Sequence, residues 1–201
     1  MKVLVACEFS GTVRRAFAAR GHYALSCDIL PADDASPFHW QGDVFDCLRA
    51  LGPFDLMVAH PPCTYLTNAG VRHLFSVPSR LGKLPAVHGA DRWRHMLAAA
   101  EFFNHLRNAP AARIAVENPI PHGYARDIIG PYSQIVHPWQ HGHGETKATC
   151  LWLKNLPLLR PTNIVSGREA RIHRMAYSPD RWKARSVTFE GIARAMAEQW
   201  G

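Results

Sequence analysis

The stretch Asp55-Leu-Met-Val-Ala-His-Pro-Pro-Cys-Thr64 constrains this chain more than any other. Its apolar part reads as a buried strand, Asp55 to His60, that runs straight into Pro61-Pro62-Cys63. Two prolines fix φ just before the sulfur and remove two backbone donors, so the loop is stiff and aims the side chain. A thiol is thereby held at the carboxyl end of a strand, where open α/β sheets place their ligands. Downstream, a second apolar strand, Ala112 to Asn118, ends in Glu117-Asn118-Pro119. A nucleophile at one strand tip and a carboxylate at another make a candidate active site.

Around these two strands the pattern alternates. Apolar runs predict strands at Lys2–Cys7, Tyr23–Cys27 (ending at Asp28), Phe38–Gly42 (ending at Asp43), Gln134–Trp139 and Ala148–Leu153. Helical spacing covers Thr12–Arg20, with Val13, Ala16, Phe17 and Arg20 on one face and Gly21 as its stop. Further helices are expected at Phe45–Leu51 and at Asp91–Asn108. The latter has Asp91 as N-cap and a stripe of Met96, Leu97, Ala100, Phe103 and Leu106. A last helix spans about Thr188–Gln199. Strands alternating with helices imply an α/β fold, with a parallel sheet and right-handed crossovers. Two stretches lack periodicity: Thr64–Gly89, a loop carrying Arg72, His73, Arg80, Lys83 and His88, and Pro157–Asp180, which is basic through Arg160, Arg168, Arg171 and Arg174. Loops of that length in compact domains are usually functional or mobile.

Composition narrows the classes. A chain of 201 residues with 47% hydrophobic content fits one domain with an ample core. No apolar run reaches the roughly 18 residues of a membrane span. Met1–Ala6 is apolar but short, and no signal-peptide layout follows it, so export is not expected. Five widely spaced cysteines (7, 27, 47, 63 and 150) form no CxxC pair, which suggests reduced thiols in a cytosol. Lys and Arg exceed Asp and Glu by 23 to 16, a formal charge of +7, which suits a polyanion such as nucleic acid as well as ordinary surface charge.

Other residue groups carry weaker signals. In Cys7-Glu8-Phe9-Ser10-Gly11-Thr12, a Gly precedes a helix, where backbone amides can approach an anionic group. A plain strand–helix turn would look the same. Asp28 and Asp43, at successive strand tips, suit the ribose hydroxyls and the adenine amine of a nucleoside-containing cofactor; helix caps or turn acids are the alternative. Cys63 needs a low pKa to be a nucleophile, and nearby bases such as Arg72 would supply it. His137, His141 and His143 lie close together, but no further ligands align with them, so no metal is assigned. Trp139, Trp152 and Trp182 are expected in the core.

Taken in order, these elements resemble the S-adenosylmethionine-dependent DNA cytosine-5 methyltransferases, in particular short versions from bacteriophages and prophages. Phe9-Ser10-Gly11 is similar to the family's Phe-x-Gly-x-Gly-Gly without its last two glycines. Asp28 and Asp43 match its acidic positions, Pro62-Cys63 its catalytic Pro-Cys with Thr64 in place of Gln, and Glu117-Asn118 its Glu-Asn-Val with Pro119 for Val. Thr146-Lys147-Ala148-Thr149 occupies the place of Gln-x-Arg-x-Arg by position only, and Arg185-Ser186-Val187 is similar to the closing Asn-Ser-Val. The resemblance implies a single Rossmann-like methyltransferase domain over residues 1–201, with a mostly parallel twisted sheet and helices on both faces. It implies catalytic Pro62, Cys63, Glu117 and Asn118, and an S-adenosylmethionine site of Phe9, Ser10, Gly11, Asp28, Asp43, Pro61, Ser186 and Val187. It also implies substrate contacts from Thr64, Arg72, Lys147 and Thr149, a loop at 64–89 that closes over the base, and a cytoplasmic place in a bacterial or phage-infected cell. The family's recognition domain is reduced to about 154–184, a basic segment. The substrate is therefore cytosine in DNA, or, by the same chemistry, a free pyrimidine nucleotide or a single strand. A non-catalytic nucleic-acid-binding relic is the third possibility, favoured by the lost glycines and opposed by Cys63 and Glu117.

Overall fold

The computed structural model describes residues 1–75 and 87–201; Arg80 and Lys83 lie outside the described residues. Seven strands form one sheet in the order β3-β2-β1-β4-β5-β7-β6. They are β1 (Lys2–Ala6), β2 (Tyr23–Asp28), β3 (His39–Gln41), β4 (Phe54–Ala59), β5 (Ala111–Pro119), β6 (Gln134–Val136) and β7 (Thr149–Lys154). The first five pair in parallel, whereas β7 runs antiparallel to both β5 and β6. This is an α/β, Rossmann-like fold, and its antiparallel edge is where simple strand–helix alternation fails to predict direction. No helix among the described residues is long and apolar enough to cross a membrane.

Alternation along each strand divides the core in two. Leu4, Ala6, Met57, Ala59, Ile114, Val116 and Trp152 face a cluster completed by helices α2 (Val44–Leu51), α3 (Gly89–Arg107) and α4 (Gly123–Ile129). Val3, Val5, Leu56, Val58, Ala115 and Leu151 face the other way, against α1 (Thr12–Ala18) and α7 (Glu190–Trp200). Because both faces are covered, central strands read as unbroken apolar runs. Each fully buried large side chain contributes about 1.5–3 kcal/mol.

Several local expectations shift. Helix α3 begins two residues before Asp91, after His88. Leu97 is half exposed; the buried stripe is Arg92, Met96, Ala100, Phe103 and Leu106, one side of the 3.6-residue repeat. Strand β6 stops at Val136, because Pro138 starts a turn of 3-10 helix, Pro138–Gln140. Part of the 64–89 loop is also regular, a 3-10 stretch Asn68–Phe75. The irregular basic segment holds two short helices, α5 (Arg171–Arg174) and α6 (Arg181–Ser186). Helix α4 has no counterpart in the sequence reading: its seven residues are too few to show a period.

Phe103 is fully buried, its ring 4.9 Å from Trp152 in an edge-to-face contact. Phe103→Ala is expected to cost about 3–5 kcal/mol, read as a lower urea midpoint at unchanged slope. A loss below about 1 kcal/mol would place this ring outside the load of the core.

Candidate active site

Strand register brings the reactive residues together. Ala6 pairs with Ala59, and Ala59 with Val116. Residues 7, 60 and 117 therefore emerge level at the carboxyl edge, with Asp28 following Cys27, the partner of Ala6. The His60 amide donates to the Ala6 carbonyl at 2.9 Å, which extends the ladder to this row. With a period of two, His60 and Glu117 share the face of Val58 and Ala115, toward α7. Asn118 belongs to the opposite face with Val116, fully buried, its Nδ2 donating to the Pro119 carbonyl at 2.5 Å. The structure thus does not bring the Asn118 side chain to Glu117's side of the sheet.

Glu117 is held at both carboxylate oxygens. Thr149 Oγ1 donates to Oε1 in a short contact across the β5–β7 pair, and His60 Nδ1 lies 3.3 Å from Oε2. Glu117, Lys147, Thr149, Ser186, Val187, Thr188, Phe189, Ile192 and Met196 line one pocket. Lys147 closes it by donating to the Arg185 carbonyl at 2.5 Å, with its ammonium 5.9 Å from the centre of the Phe189 ring. Next to it, Cys7, Glu8, Phe9, Ser10 and His60 line a second pocket that shares Ser186, Val187 and Thr188 with the first. Two compartments thus meet along one wall, with Glu117 in one and the β1–α1 turn in the other.

Cys63 is partly buried, and its carbonyl accepts from the amides of Leu66 and Thr67 in the turn that follows the two prolines. Pro61 is buried, whereas Pro62 and Thr64 are exposed. The Thr64 carbonyl accepts from the Arg92 guanidinium at 2.7 Å. Burial, and then the negative charge of Glu117, push the Cys63 thiol above its ordinary range, while Lys147 and Arg185 pull it back. This corrects the expectation of a low pKa set by Arg72, which is exposed on the 3-10 stretch. The cations that act on the sulfur come from the far end of the chain.

At the cofactor-like edge, Glu8 is buried and receives the amides of Val13 at 2.6 Å and Arg14 at 3.2 Å, so it occupies the amino end of α1. Gly11 adopts φ +67° there, and a Cβ on it would come within 2.5 Å of the Arg14 guanidinium. That guanidinium is paired with Asp34, as is Arg15 at 3.0 Å. Asp28 accepts from the Leu30 amide at 2.9 Å, and burial raises its pKa. Asp43 caps α2, its Oδ1 accepting from Phe45 and Asp46, which is the helix-cap alternative. Burial, then Asp28 and Asp43, push the Cys7 thiol up to about 12, so these strand tips share one electrostatic neighbourhood.

The 154–184 segment folds back onto this site. Thr146 donates to the Glu169 carbonyl and Glu169 to that of Gly144, and buried Glu145 accepts from Ile172. Arg168 stacks on Trp139, 3.8 Å from the ring centre. Trp182, expected in the core, is half exposed and stands 6.0 Å from the Phe9 ring; only Trp152 is a core tryptophan of the three. Among the described residues no group of three or more His, Cys, Asp or Glu side chains could hold a metal ion. His143 Nε2 instead accepts from the Gly191 amide at the start of α7, and His141 Nδ1 lies 3.0 Å from the Thr162 hydroxyl. His60 and Glu8 were missed as site residues. Their signal was available: a polar residue ending or following an apolar strand at each of two tips.

No protein-family model matches the chain, and no curated protein does. Among solved structures it is similar to a proposed DNA modification methyltransferase encoded within an E. coli prophage, at 14% identity and a TM-score of 0.49, covering 81% of this chain and 51% of that one. The chain spans about half the length of that protein. A likeness this distant decides neither substrate nor chemistry.

The charges around Cys63 have a direct readout. Glu117→Gln removes a repulsive charge, lowers the thiol pKa and should speed iodoacetamide labelling of Cys63 at pH 7.5, followed by peptide mass spectrometry. Lys147→Met should slow it. Equal rates in all three proteins would mean that neither side chain acts on the sulfur.

Proposed function

We propose that this protein transfers a methyl group from S-adenosylmethionine to C5 of cytosine in DNA through a covalent adduct on Cys63. The observation that carries the reading is the β4–β5 register, which sets Glu117 level with His60, just before Pro61-Pro62-Cys63, and so near enough for its charge to raise the Cys63 thiol. Moving one proton from the thiol to Glu117 leaves the site's net charge unchanged. It creates both forms that the chemistry needs, a thiolate and a neutral carboxylic acid, and it removes the charge that opposed the thiolate.

In this scheme Cys63 Sγ adds to C6 of the pyrimidine while Glu117 donates its proton to N3, so electron density rises at C5. Thr149 and His60 hold the carboxylate in place from either side. The prolines before Cys63 keep the sulfur at the strand tip, and Lys147 and Arg185 stabilise its charge. Once C5 carries the methyl group, water takes the C5 proton, the thiolate departs from C6, and N3 returns its proton to Glu117, which restores the ring. A base in a duplex must first be flipped out.

The second pocket suits a nucleoside-containing cofactor: an aromatic face at Phe9, the Glu8 carboxylate, and the hydroxyls of Ser10, Ser186 and Thr188 line it beside His60, with the Asp28 carboxylate at the next strand tip. Phe9, Ser10, Gly11, Asp28, Asp43, Pro61, Ser186 and Val187 are the residues that would hold it. When bound, S-adenosylmethionine supplies an electrophilic methyl group. The charge of +7 and the exposed Arg160 and Arg174 support a nucleic-acid substrate. A single strand or free pyrimidine nucleotide is the second reading, favoured because segment 154–184 is short, its helices being only the four-residue α5 and the start of α6, too little for a reading domain.

Incubation with labelled S-adenosylmethionine and duplex DNA containing 5-fluorocytosine should give a labelled adduct stable in a denaturing gel, because fluorine cannot leave as the C5 proton does. Cys63→Ser should give none while keeping cofactor binding. Glu117→Gln should lower turnover on ordinary DNA by about 10²–10⁴-fold. Cofactor binding without any adduct would move the substrate to nucleotides or single strands, and normal turnover by Cys63→Ser would end the covalent mechanism.

A further inference from the structure

His60 stands where the two pockets meet, directly before Pro61-Pro62-Cys63. Only 9% of its side chain is exposed. One ring nitrogen, Nδ1, lies 3.3 Å from Glu117 Oε2. The other, Nε2, is buried and has no hydrogen-bond partner among the described residues, and the residue lines the pocket of the β1–α1 turn. The great majority of buried polar atoms in proteins are paired, so an unpaired nitrogen on a pocket-lining ring is a candidate for a contact that a ligand completes.

The ionisable groups around the imidazole come from two elements. Glu117 on β5 meets Nδ1, and Glu8 on the β1–α1 turn lies close enough for its own carboxylate to feel the ring. The third wall, Ser186 to Thr188, offers hydroxyls and no charge. In the tautomer whose Nδ1–H faces Glu117, Nε2 carries a lone pair. That lone pair and the Glu8 carboxylate both suit a hydrogen-bond donor on the ligand.

We propose that His60 is a positioning residue that joins the two pockets, its Nδ1 holding Glu117 against the base and its Nε2 accepting a hydrogen bond from the cofactor. Resting on the methyl-transfer reading, this assigns a residue that neither the Pro-Cys nor the Glu-Asn motif includes. Cofactor binding thereby fixes the ring, and the ring fixes the carboxylate, so the acid is aligned only when the methyl donor is in place.

Two near-isosteric variants separate the halves of the imidazole. His60→Asn keeps an amide near the Nδ1 position and has nothing at Nε2; His60→Gln does the reverse. Calorimetric titration with S-adenosylmethionine should show His60→Asn binding about tenfold more weakly than the parent. For His60→Gln, binding should stay within threefold while kcat falls tenfold or more. Unchanged cofactor affinity in His60→Asn, unchanged kcat in His60→Gln, or equal loss of both properties in the two variants would each overturn the assignment. An independent readout needs no functional variant: in ¹⁵N-histidine-labelled parent protein, the His60 Nε2 resonance should shift when S-adenosylmethionine is added, and an unmoved resonance would overturn it too. A parent protein that neither binds the cofactor nor methylates DNA sinks the function itself; an active parent with indifferent variants sinks only the role of His60.

Discussion

The parallel hydrogen-bond ladder that joins β1, β4 and β5 governs where every reactive group can lie. Parallel strands space their bonds evenly, so Ala6, Ala59 and Val116 stand abreast. The next residue on each strand is then level with its neighbours. A slip of one residue on β4 would turn His60 to the α3 face and remove it from Glu117. The sheet interior resists such a slip because both faces are packed: Met57 and Ala59 belong to one cluster, Leu56 and Val58 to the other. Site geometry is thus held by the same alternating apolar burial that holds the fold.

Charge acts on this frame over short distances. Cys63, Glu117 and Lys147 come from two strand tips and the loop before β7, and burial makes their mutual effects larger than they would be in water. Burial and Glu117 outweigh the two cations, so the resting thiol is protonated and quiet. Protonating Glu117 would tip that balance. In the proposed scheme, reactivity is therefore a property of the pair.

Particular residues show how much of this was legible beforehand. Central strands, α1, α2, α3 and α7 announce themselves through runs or periods of apolar residues, and Pro-Pro-Cys marks a strand tip unaided. The direction of β7 is not encoded in its own six residues, because an apolar strand buried on both faces reads the same either way. Trp182 is another such case. Its neighbours in sequence suggest nothing, yet it stands half exposed beside Phe9 because Glu145, Glu169 and Gly144 anchor the preceding segment near the pocket. Arg72 was the nearest cation in sequence to Cys63, whereas Lys147 and Arg185 are the ones that lower its pKa.

By itself the sequence determined the α/β class, the strand tips at Asp28, Cys63 and Glu117, and a basic surplus suited to a polyanion. Those properties depend on local period, stiffness and composition, which a window of a few residues contains. Only the tertiary structure decided that His60 lies between Glu117 and the second pocket, that Asn118 points away, that Asp43 caps a helix and that the Cys63 thiol is raised. Each of these depends on which distant residues register and burial bring within a few ångströms; His60 and Glu117 are 57 positions apart in the chain and 3.3 Å apart in the fold.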